Sequence, residues 1–529
     1  MAETTKYVPL NVSGNLNSDI KSFFSFLKTR KRITFAYAFT LAFVSFTLFL
    51  AFSPSSNASS PWFNNSFTTK TSTSDSYKSH ISSIFSFFFH NNTSSSSSAP
   101  SSSSSPFSNT SRSSNNTSQS SNSTTKTFKA ITFGNKTQNP QNPFKDSVPT
   151  TNQTSNQNLS SLLKDEIHMM ESLRKCDFFD GEWVKDESYP LYEPGSCNLV
   201  DEQFNCIHNG RPDKDYQKYK WKPKGCSLPR LDGKRMLDLL RGKRLVFVGD
   251  SINRNMWESL ICILRNSVKD KSKVFEANGR VHFRGEASYS FIFKDYNFSI
   301  EFFVLPFLVQ EWEVLVKNGT KKETLRLDLV GRSSDQYKDA DIIIFNTGHW
   351  WTHDKTSKGK DYYQEGSHIY NELNVLEAFR KAITTWSRWV DANINTSKSM
   401  VFFRGYSSSH FSGGQWNSGG QCDSEIVPIQ NKKYLREYPP KMRVLEKVLK
   451  NMKNHVTYLN VTTMTDFRKD GHPSVYRKQN LSPEERKSPL MYQDCSHWCL
   501  PGVPDTWNEI LYVELLLKNY QNQHQQKKP

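Results

Sequence analysis

The stretch that most constrains the fold of this chain is residues 244–257, which read RLVFVGDSINRNMW. Its first part, residues 245–249, is a short apolar run of the kind that forms a buried parallel strand. Apolar residues then recur at helical spacing, at Met256, Leu260, Ile261 and Leu264. Ser251 is therefore predicted to lie where a strand turns into a helix, at the carboxyl end of a sheet and beside the first helical N–H groups.

A serine in that position suits acyl transfer, because an activated hydroxyl can attack an acyl carbon. The same residue can instead simply cap the helix, and the stretch alone leaves this alternative open. The G-x-S-x-G pattern of a nucleophile elbow is not met, since Asn253 stands where the second glycine would be. The stretch indicates a nucleophile without establishing one.

A partner for this serine lies near the C-terminus, in residues 494–499, which read DCSHWC. Asp494 stands three residues before His497, so both side chains can face the same way on one turn. The carboxylate would fix the imidazole tautomer, and the other ring nitrogen would accept the serine proton. The rival bases have no acidic residue three positions earlier; they are His349, His353 and His410.

Strands and helices alternate along the folded part of the chain. Apolar runs predict strands at 245–249, 288–293, 298–305, 341–345, 400–403 and 456–459, and helices at 236–240, 251–264, 375–390, 442–452 and 509–517. This alternation favours an α/β fold with a mainly parallel sheet covered on both faces. Ser251, residues 346–349 and residues 404–405 each follow a strand, so they are expected to meet in one crevice.

Four motifs resemble those of one family, the plant trichome birefringence-like family of wall-polysaccharide O-acetyltransferases. They are GDSINRNMWESL (249–260), FNTGHWW (345–351), FFRGYSSSHFSGGQWNSGGQC (402–422) and DCSHWCLPGVPDTWNEIL (494–511). The resemblance covers roughly residues 174–520. It implies an SGNH/GDSL-like acyltransferase domain over residues 231–520, behind a small Cys-rich N-terminal module over residues 174–230.

The resemblance also implies roles for the site residues. Ser251 is expected to be the nucleophile, His497 the base and Asp494 the residue that orients it. In SGNH enzymes an Asn after a later strand donates to the oxyanion, so the motif implies that role for Asn346, unless it is only a turn former. Arg254, three residues after the serine, is a second oxyanion candidate, and the Ser251 backbone N–H is a third.

The residues expected around this centre each have two interpretations. Trp350 and Trp351 are candidates for a sugar platform, or for ordinary core packing. The glycine-rich residues 412–421, which read SGGQWNSGGQ, resemble a flexible lip over the site. No G-x-x-x-x-G-K-[ST] sequence is present, so a phosphate loop is not expected.

All eight cysteines lie between Cys176 and Cys499. An even count suggests four disulfides, for which 105 pairings exist. The family resemblance favours Cys176–Cys226, Cys197–Cys262, Cys206–Cys499 and Cys422–Cys495. The sequence CSHWC offers three zinc ligands, but its spacing is not C-x-x-C and a secretory compartment oxidises thiols, so no metal is expected. Sequons fit such a compartment, at Asn57, Asn92, Asn116, Asn122, Asn135, Asn158, Asn297, Asn318, Asn395, Asn460 and Asn480.

The first 160 residues predict a membrane anchor and a stalk. Residues 1–32 are interpreted as a cytoplasmic tail, and the uncharged residues 33–53 are long enough to span a bilayer. Positive charge before the span predicts type II topology, with a cleaved signal peptide as the alternative. Residues 54–160 are rich in Ser, Asn and Thr and are expected to be a disordered lumenal stalk. The predicted location is the Golgi membrane, with the catalytic domain in the lumen.

The predicted function is O-acetylation of a cell-wall polysaccharide through an acetyl-serine intermediate, with no bound cofactor and an unidentified acetyl donor. The net charge of +17 is spread out, so nucleic-acid binding is not expected, and a basic folded part favours pectin over xylan or mannan. An acetylesterase is the first alternative. The second is a non-catalytic protein that bridges pectin through residues 174–230, where Tyr219, Trp221 and Lys222 either contact sugar or pack the module onto the core.

Overall fold

The computed structural model describes residues 164–315, 319–480, 482–483 and 493–526. The predicted cytoplasmic tail, membrane span and stalk lie outside these residues, as does the sequon at Asn318. Among the described helices, none is both long and apolar enough to cross a membrane.

The described strands and helices follow one another in a regular order. The strands are β1 (Gly181–Lys185), β2 (Tyr219–Pro223), β3 (Arg244–Gly249), β4 (Val274–Glu276), β5 (Ser288–Phe293), β6 (Phe298–Val304), β7 (Val309–Leu315), β8 (Lys321–Val330), β9 (Ile342–Phe345), β10 (Tyr363–Glu365), β11 (His368–Ile369), β12 (Met400–Arg404) and β13 (Thr457–Leu459). The helices are α1 (Gly233–Leu239), α2 (Ser251–Asn266), α3 (Ser334–Tyr337), α4 (Val375–Asn393), α5 (Pro440–Lys450), α6 (Thr462–Asp466) and α7 (Val503–Gln526), and residues 164–174 are also helical.

Seven strands form the central sheet, in the order β13-β12-β9-β3-β6-β5-β4. The five strands from β13 to β6 are parallel to their neighbours, whereas β5 and β4 continue the sheet antiparallel. The predicted mainly parallel sheet is therefore confirmed, with an antiparallel edge. Strands β3, β9 and β12 are adjacent, so their carboxyl ends meet at one edge of the sheet, as expected for a crevice.

Strand β3 lies at the centre of this sheet and is buried on both faces. Leu245 and Phe247 pack with α2 and α7 in one apolar cluster, while Val246 and Val248 pack with α4 in the other. Side chains alternate between the two faces of a strand, so a continuous apolar run is what a strand covered on both sides requires.

Two smaller sheets do not appear in the sequence-based prediction. One has four strands in the order β11-β10-β8-β7, and the other is the antiparallel pair β1-β2 in the N-terminal module. Strands β7 and β8 read VQEWEVL and KKETLRLDLV, in which charged residues interrupt the apolar ones. That alternation fits a strand with one solvated face, but the charge hides it from a search for apolar runs.

The N-terminal module packs onto the central core. Trp221 is only 3% exposed, and its indole N–H donates to the backbone oxygen of Phe178. Its cross-strand partner is Trp183, whose own indole N–H donates to the backbone oxygen of Met464 in α6. These contacts favour the packing interpretation over sugar stacking, although Lys222 is exposed.

The four disulfides join the cysteine pairs that the family resemblance favours. They are Cys176–Cys226, Cys197–Cys262, Cys206–Cys499 and Cys422–Cys495. The second and third cross from the N-terminal module to the central domain. The third joins residues 293 positions apart and ends two residues after His497.

Removing the Cys206–Cys499 bond by a double substitution to serine is expected to lower stability and activity together. Loss of a native disulfide costs about 2–5 kcal/mol, so the melting temperature should fall by roughly 5 °C or more. Activity should also fall, because the bond holds the segment that carries His497. Thermal melting and turnover are the measurements.

The matched control is the double substitution of Cys176 and Cys226, whose bond lies within the N-terminal module. It should lower the melting temperature while leaving turnover per folded molecule within about twofold, because its loss is mainly an unfolded-state effect. Equal losses of turnover in both variants would contradict a specific role for the Cys206–Cys499 bond at the site.

Candidate active site

Ser251 is the first residue of α2 and directly follows the turn at the end of β3. The Asp250 carboxylate caps the helix by accepting the Ile252 backbone N–H at 3.0 Å, so the serine itself is not the cap. Within the described residues, the backbone N–H of Ser251 meets no acceptor. A half-buried hydroxyl thus lies at the positive end of a 16-residue helix, where negative charge is stabilised.

His497 lies between this serine and a carboxylate. Its Nε2 is 2.7 Å from Ser251 Oγ, and its Nδ1 is 2.7 Å from Asp494 Oδ2. A carboxylate only accepts, so Nδ1 carries the proton and the unprotonated Nε2 faces the hydroxyl. The other oxygen of Asp494 accepts the backbone N–H groups of Ser496 and His497 at 3.0 and 3.1 Å, which fixes the turn as well as the ring.

The Asp494 carboxylate is buried but stays ionised. The side chains of Asp494 and His497 are 8% and 9% exposed. Burial raises the pKa of Asp494, but His497 and Arg477 outweigh it and hold the pKa well below its usual range. The structure therefore brings together the three residues that the motifs select, in the geometry of general-base activation of a hydroxyl.

Two hydrogen bonds between α2 and the segment 494–499 fix the distance between them. Asn255 accepts the Trp498 backbone N–H at 2.8 Å and donates to the Trp498 backbone oxygen at 3.1 Å. Asn255 lies one helical turn after Ser251, and Trp498 directly follows His497. Sequence reasoning missed this residue, although its position one turn after the serine is a usable signal.

A second buried group supports the turn that carries the serine. Asp250 accepts from Asn346 Nδ2 at 2.7 Å, lies 3.4 Å from His349 Nδ1, and lies 3.9 Å from the Arg404 guanidinium. A Cβ added at Gly249 would lie 1.9 Å from Asn346 Oδ1, so only glycine permits this approach. Asp250, His349 and Arg404 were not assigned this role from the sequence.

The polar and charged side chains around Asp250 stabilise its negative charge inside the protein. Burial opposes the charge on Asp250, but His349, Arg404 and Asn346 outweigh it and hold its pKa well below the usual range. Burial lowers the pKa of Arg404 to about 10 and also lowers the pKa of His349, despite the nearby carboxylate. The turn before Ser251 thus rests on an ionised, hydrogen-bonded carboxylate.

The two side-chain oxyanion candidates both make buried structural contacts. Asn346 is fully buried, and its amide both donates to the Asp250 carboxylate and accepts the Asp250 backbone N–H at 3.1 Å. Arg254 is 1% exposed and donates to Asp201 at 2.6 Å and to the Phe283 backbone oxygen at 3.0 Å. These contacts favour structural roles for both side chains, and the Ser251 backbone N–H is the candidate donor nearest the reacting hydroxyl.

Other residues considered from the sequence have different surroundings. His349 Nε2 contacts the Ser407 backbone oxygen at 2.7 Å, and its ring stacks on Tyr406. His353 is exposed, and His410 is buried behind the segment 494–499. None of these rings occupies the position of His497. Cys495 and Cys499 are in disulfides, so they do not provide the thiolates that a zinc site would use.

The two tryptophans after β9 differ in environment. Trp351 is 1% exposed, and its indole N–H donates to Thr347 Oγ1 at 2.9 Å, so it is core. Trp350 is half-buried, and the Lys355 ammonium lies 4.4 Å from its ring and 4.7 Å from that of Trp416. Burial lowers the pKa of Lys355 to about 7, partly offset by Asp250.

The glycine-rich lip connects these aromatic residues to the segment that carries His497. Trp416 belongs to the lip, and Asn417 in the same segment lies 3.3 Å from the Asp354 carboxylate. The lip ends at Cys422, which is bonded to Cys495 two residues before His497. The lip therefore connects Trp416, whose ring faces Lys355, to the segment that carries the base.

The fold and this site define an enzyme that transfers or cleaves acyl groups. Residues 228–514 match a family described as a GDSL/SGNH-like acyl-esterase family found in Pmr5 and Cas1p, and residues 174–227 match the PMR5 N-terminal domain. The chain belongs to this acyl-esterase family, in its trichome birefringence-like group.

Similar proteins from Arabidopsis thaliana extend over most or all of the chain. Protein trichome birefringence is 57% identical over 100% of both chains. Protein trichome birefringence-like 1 is 57% identical over 98% of this chain and 96% of its own length. Protein trichome birefringence-like 4 is 56% identical over 66% of this chain and 77% of its own length.

Proposed function

We propose that the protein O-acetylates a plant cell-wall polysaccharide through an acetyl-serine intermediate on Ser251. The observation that carries this proposal is the hydrogen-bonded series from Ser251 through His497 to Asp494, with both distances at 2.7 Å. The similarity to trichome birefringence-like proteins supports the same chemistry class.

In the first half of the proposed reaction, His497 Nε2 takes the Ser251 proton as Oγ attacks the carbonyl carbon of the acetyl donor. The negative charge that forms on the carbonyl oxygen is stabilised by the Ser251 N–H and the helix N-terminus. The bond to the donor then breaks, and the leaving group takes the proton from His497. The ionised Asp494 stabilises the imidazolium between these transfers.

In the second half, a sugar hydroxyl gives its proton to His497 and attacks the acetyl carbon. Ser251 Oγ leaves and recovers the proton, and the acetyl ester remains on the polysaccharide. Water attacking the same intermediate would release acetate, which is the acetylesterase alternative. The two outcomes differ in acceptor binding and in exclusion of water. No bound cofactor enters either half, and the acetyl donor is a separate substrate.

The proposed acceptor is an acidic wall polymer such as pectin. Lys355 between two indoles, together with Lys441 beside the Tyr406 ring, gives this side of the site an aromatic wall with two amines. Burial lowers the pKa of Lys355 to about 7 and that of Lys441 to about 8, so both amines are cationic at mildly acidic pH. Aromatic rings stack on sugar faces, and ammonium groups attract carboxylates. The non-catalytic bridging alternative is disfavoured, because Trp221 in the N-terminal module is buried rather than displayed.

The proposed location is the Golgi membrane, with residues 33–53 as a type II signal anchor and the enzyme in the lumen. Four disulfides support an oxidising, secretory compartment. The exposed sequons Asn297, Asn395 and Asn480 are accessible to glycosylation there, which would make the protein a glycoprotein.

Incubating the full chain with an acetyl donor and deacetylated pectin, xylan and mannan oligomers is the direct test. We expect a mass gain of one acetyl group per transfer, largest on pectin and absent with Ser251→Ala. Acetate release without transfer would identify an esterase. Oligomer binding with neither product, by protein shown to be folded, would instead favour the bridging protein.

A further inference from the structure

Two buried histidines that the proposed reaction does not use lie behind the segment that carries His497. His410 Nδ1 and His472 Nε2 are 2.7 Å apart, and the two residues are 7% and 2% exposed. His472 Nδ1 is 2.6 Å from the backbone oxygen of His497, and His410 Nε2 is 2.9 Å from that of Asp466. Both rings are therefore bonded at both of their nitrogens.

The partners of these nitrogens fix the number of protons on the pair. A carbonyl oxygen only accepts, so His472 Nδ1 and His410 Nε2 must each carry a proton. The 2.7 Å contact between the rings needs one further proton, on either nitrogen. Two rings with three N–H groups amount to one imidazolium and one neutral imidazole.

The surroundings place the positive charge on His410. The Asp466 carboxylate lies 3.5 Å from its Nε2. Burial raises the pKa of Asp466, but His410 and the Arg436 backbone N–H outweigh it and lower that pKa, so the carboxylate is ionised. Burial and the charges of His410 and Arg211 together lower the pKa of His472 well below its usual range.

The pair supports the segment 495–498 at several points. The His410 backbone N–H donates to the Cys495 backbone oxygen at 2.9 Å, and the His472 ring stacks on Trp498 at 4.2 Å. Together with the hydrogen bond to the His497 backbone oxygen, these contacts hold the backbone before, at and after the base. A small shift of this backbone changes the 2.7 Å distance from His497 Nε2 to Ser251 Oγ.

We propose that His410 and His472 are positioning residues that hold His497 against Ser251, with His410 acting as a buried imidazolium. This inference rests on the proposed function, because it takes Ser251 and His497 as nucleophile and base. Neither residue contacts the serine hydroxyl; both act through the backbone of the segment 495–498.

The third proton completes the hydrogen bonds of the pair. The charged and titratable groups facing the pair are Asp466, Arg436, Arg211, Asp494 and His497. Asp466 and Asp494 are acids with lowered pKa values and remain ionised. Without the third proton, the pair would have two acceptors facing each other across 2.7 Å, or would lose a hydrogen bond to a carbonyl oxygen. Turnover should therefore fall in variants that cannot supply all three N–H groups.

The kinetic test compares substitutions in the full chain, with hydrolysis of 4-nitrophenyl acetate as the readout from about pH 5 to about pH 9. His472→Phe keeps the stack on Trp498 but has no N–H, so we expect kcat to fall about 10- to 100-fold with KM within about twofold. His472→Asn returns a donor near the His497 oxygen and should recover part of the loss. His410→Gln keeps a donor but cannot form an imidazolium, so kcat should also fall, with KM again within about twofold. The exposed His168 is the matched control, as His168→Gln, and should behave like wild type.

An activity-independent measurement uses ¹⁵N-histidine-labelled full chain and solid-state NMR. The spectrum of wild type minus that of His410→Gln should contain the two protonated nitrogens of an imidazolium. A neutral ring in that difference, or full kcat in His472→Phe or in His410→Gln, would each overturn the proposal. If Ser251→Ala hydrolyses the ester as fast as wild type, the proposed function fails instead, and the NMR result still decides the protonation of the pair.

Discussion

Replacing Ser251 with alanine is expected to abolish acetyl transfer and ester hydrolysis together, by about 10⁴-fold or more in kcat. The substitution removes the atom that would carry the acetyl group in the proposed intermediate, while Asp494 and His497 remain in place. Folding should be nearly unchanged, because Asp250 rather than Ser251 caps α2. Mass spectrometry of the acceptor, and of the acetylated enzyme, measures the effect.

Ser267→Ala is the matched control, at the other end of the same helix. Its hydroxyl donates only to the Ile263 backbone oxygen, at 3.2 Å. Turnover should stay within about twofold of wild type, since this half-buried hydroxyl lies at the opposite end of the helix from Ser251 and makes a single hydrogen bond. Transfer that survives in folded Ser251→Ala protein would rule out the acetyl-serine route.

Replacing Asp494 with asparagine is expected to lower kcat by about 10³- to 10⁴-fold, with a smaller change in KM. Asparagine has nearly the same shape, but its amide can present a donor to His497 Nδ1, which leaves the ring in the wrong tautomer. It also removes the negative charge that stabilises the imidazolium. Because the pKa of Asp494 is held well below its usual range, the wild-type carboxylate is ionised throughout the working pH range, and acidification affects other groups first.

Asp423→Asn is the corresponding control. Asp423 is exposed and accepts from Gln493, the residue directly before Asp494, at 2.8 Å. Its loss should change kcat by no more than about threefold, because Asp423 is exposed and does not contact His497 or Ser251. Similar losses in the two variants would mean that the segment needs negative charge in general, and would remove the specific role of Asp494.

The three central residues could be found from the sequence because their signals are local. An apolar run followed by helical periodicity places Ser251 at the end of a strand, and this holds in the structure because β3 is buried on both faces. The spacing of Asp494 and His497 fits one turn, which is a local property as well. Their meeting with Ser251 across almost 250 residues was inferred from the family motifs and not from spacing.

The supporting residues are a different case, because their partners are distant in the chain. Asn346 and Arg254 were both expected to stabilise the oxyanion. In the structure Asn346 pairs with Asp250, and Arg254 pairs with Asp201. The pair of His410 and His472 has no distinctive pattern in sequence, and the position of Asn255 one turn after Ser251 does not reveal its partner Trp498. Each of these roles depends on which backbone group happens to lie within hydrogen-bond distance, and only packing decides that.

The sequence by itself determined the alternation of strands and helices, the position of the serine and the Asp-to-His spacing, because each depends on neighbours within one or two turns. The tertiary structure decided which polar side chains face the reacting atoms and which are held by buried partners. It also revealed the β7–β8 sheet, whose charged strands lack an apolar run. The physical reason is that periodicity encodes burial of a face, whereas hydrogen-bond geometry arises only when distant segments pack together.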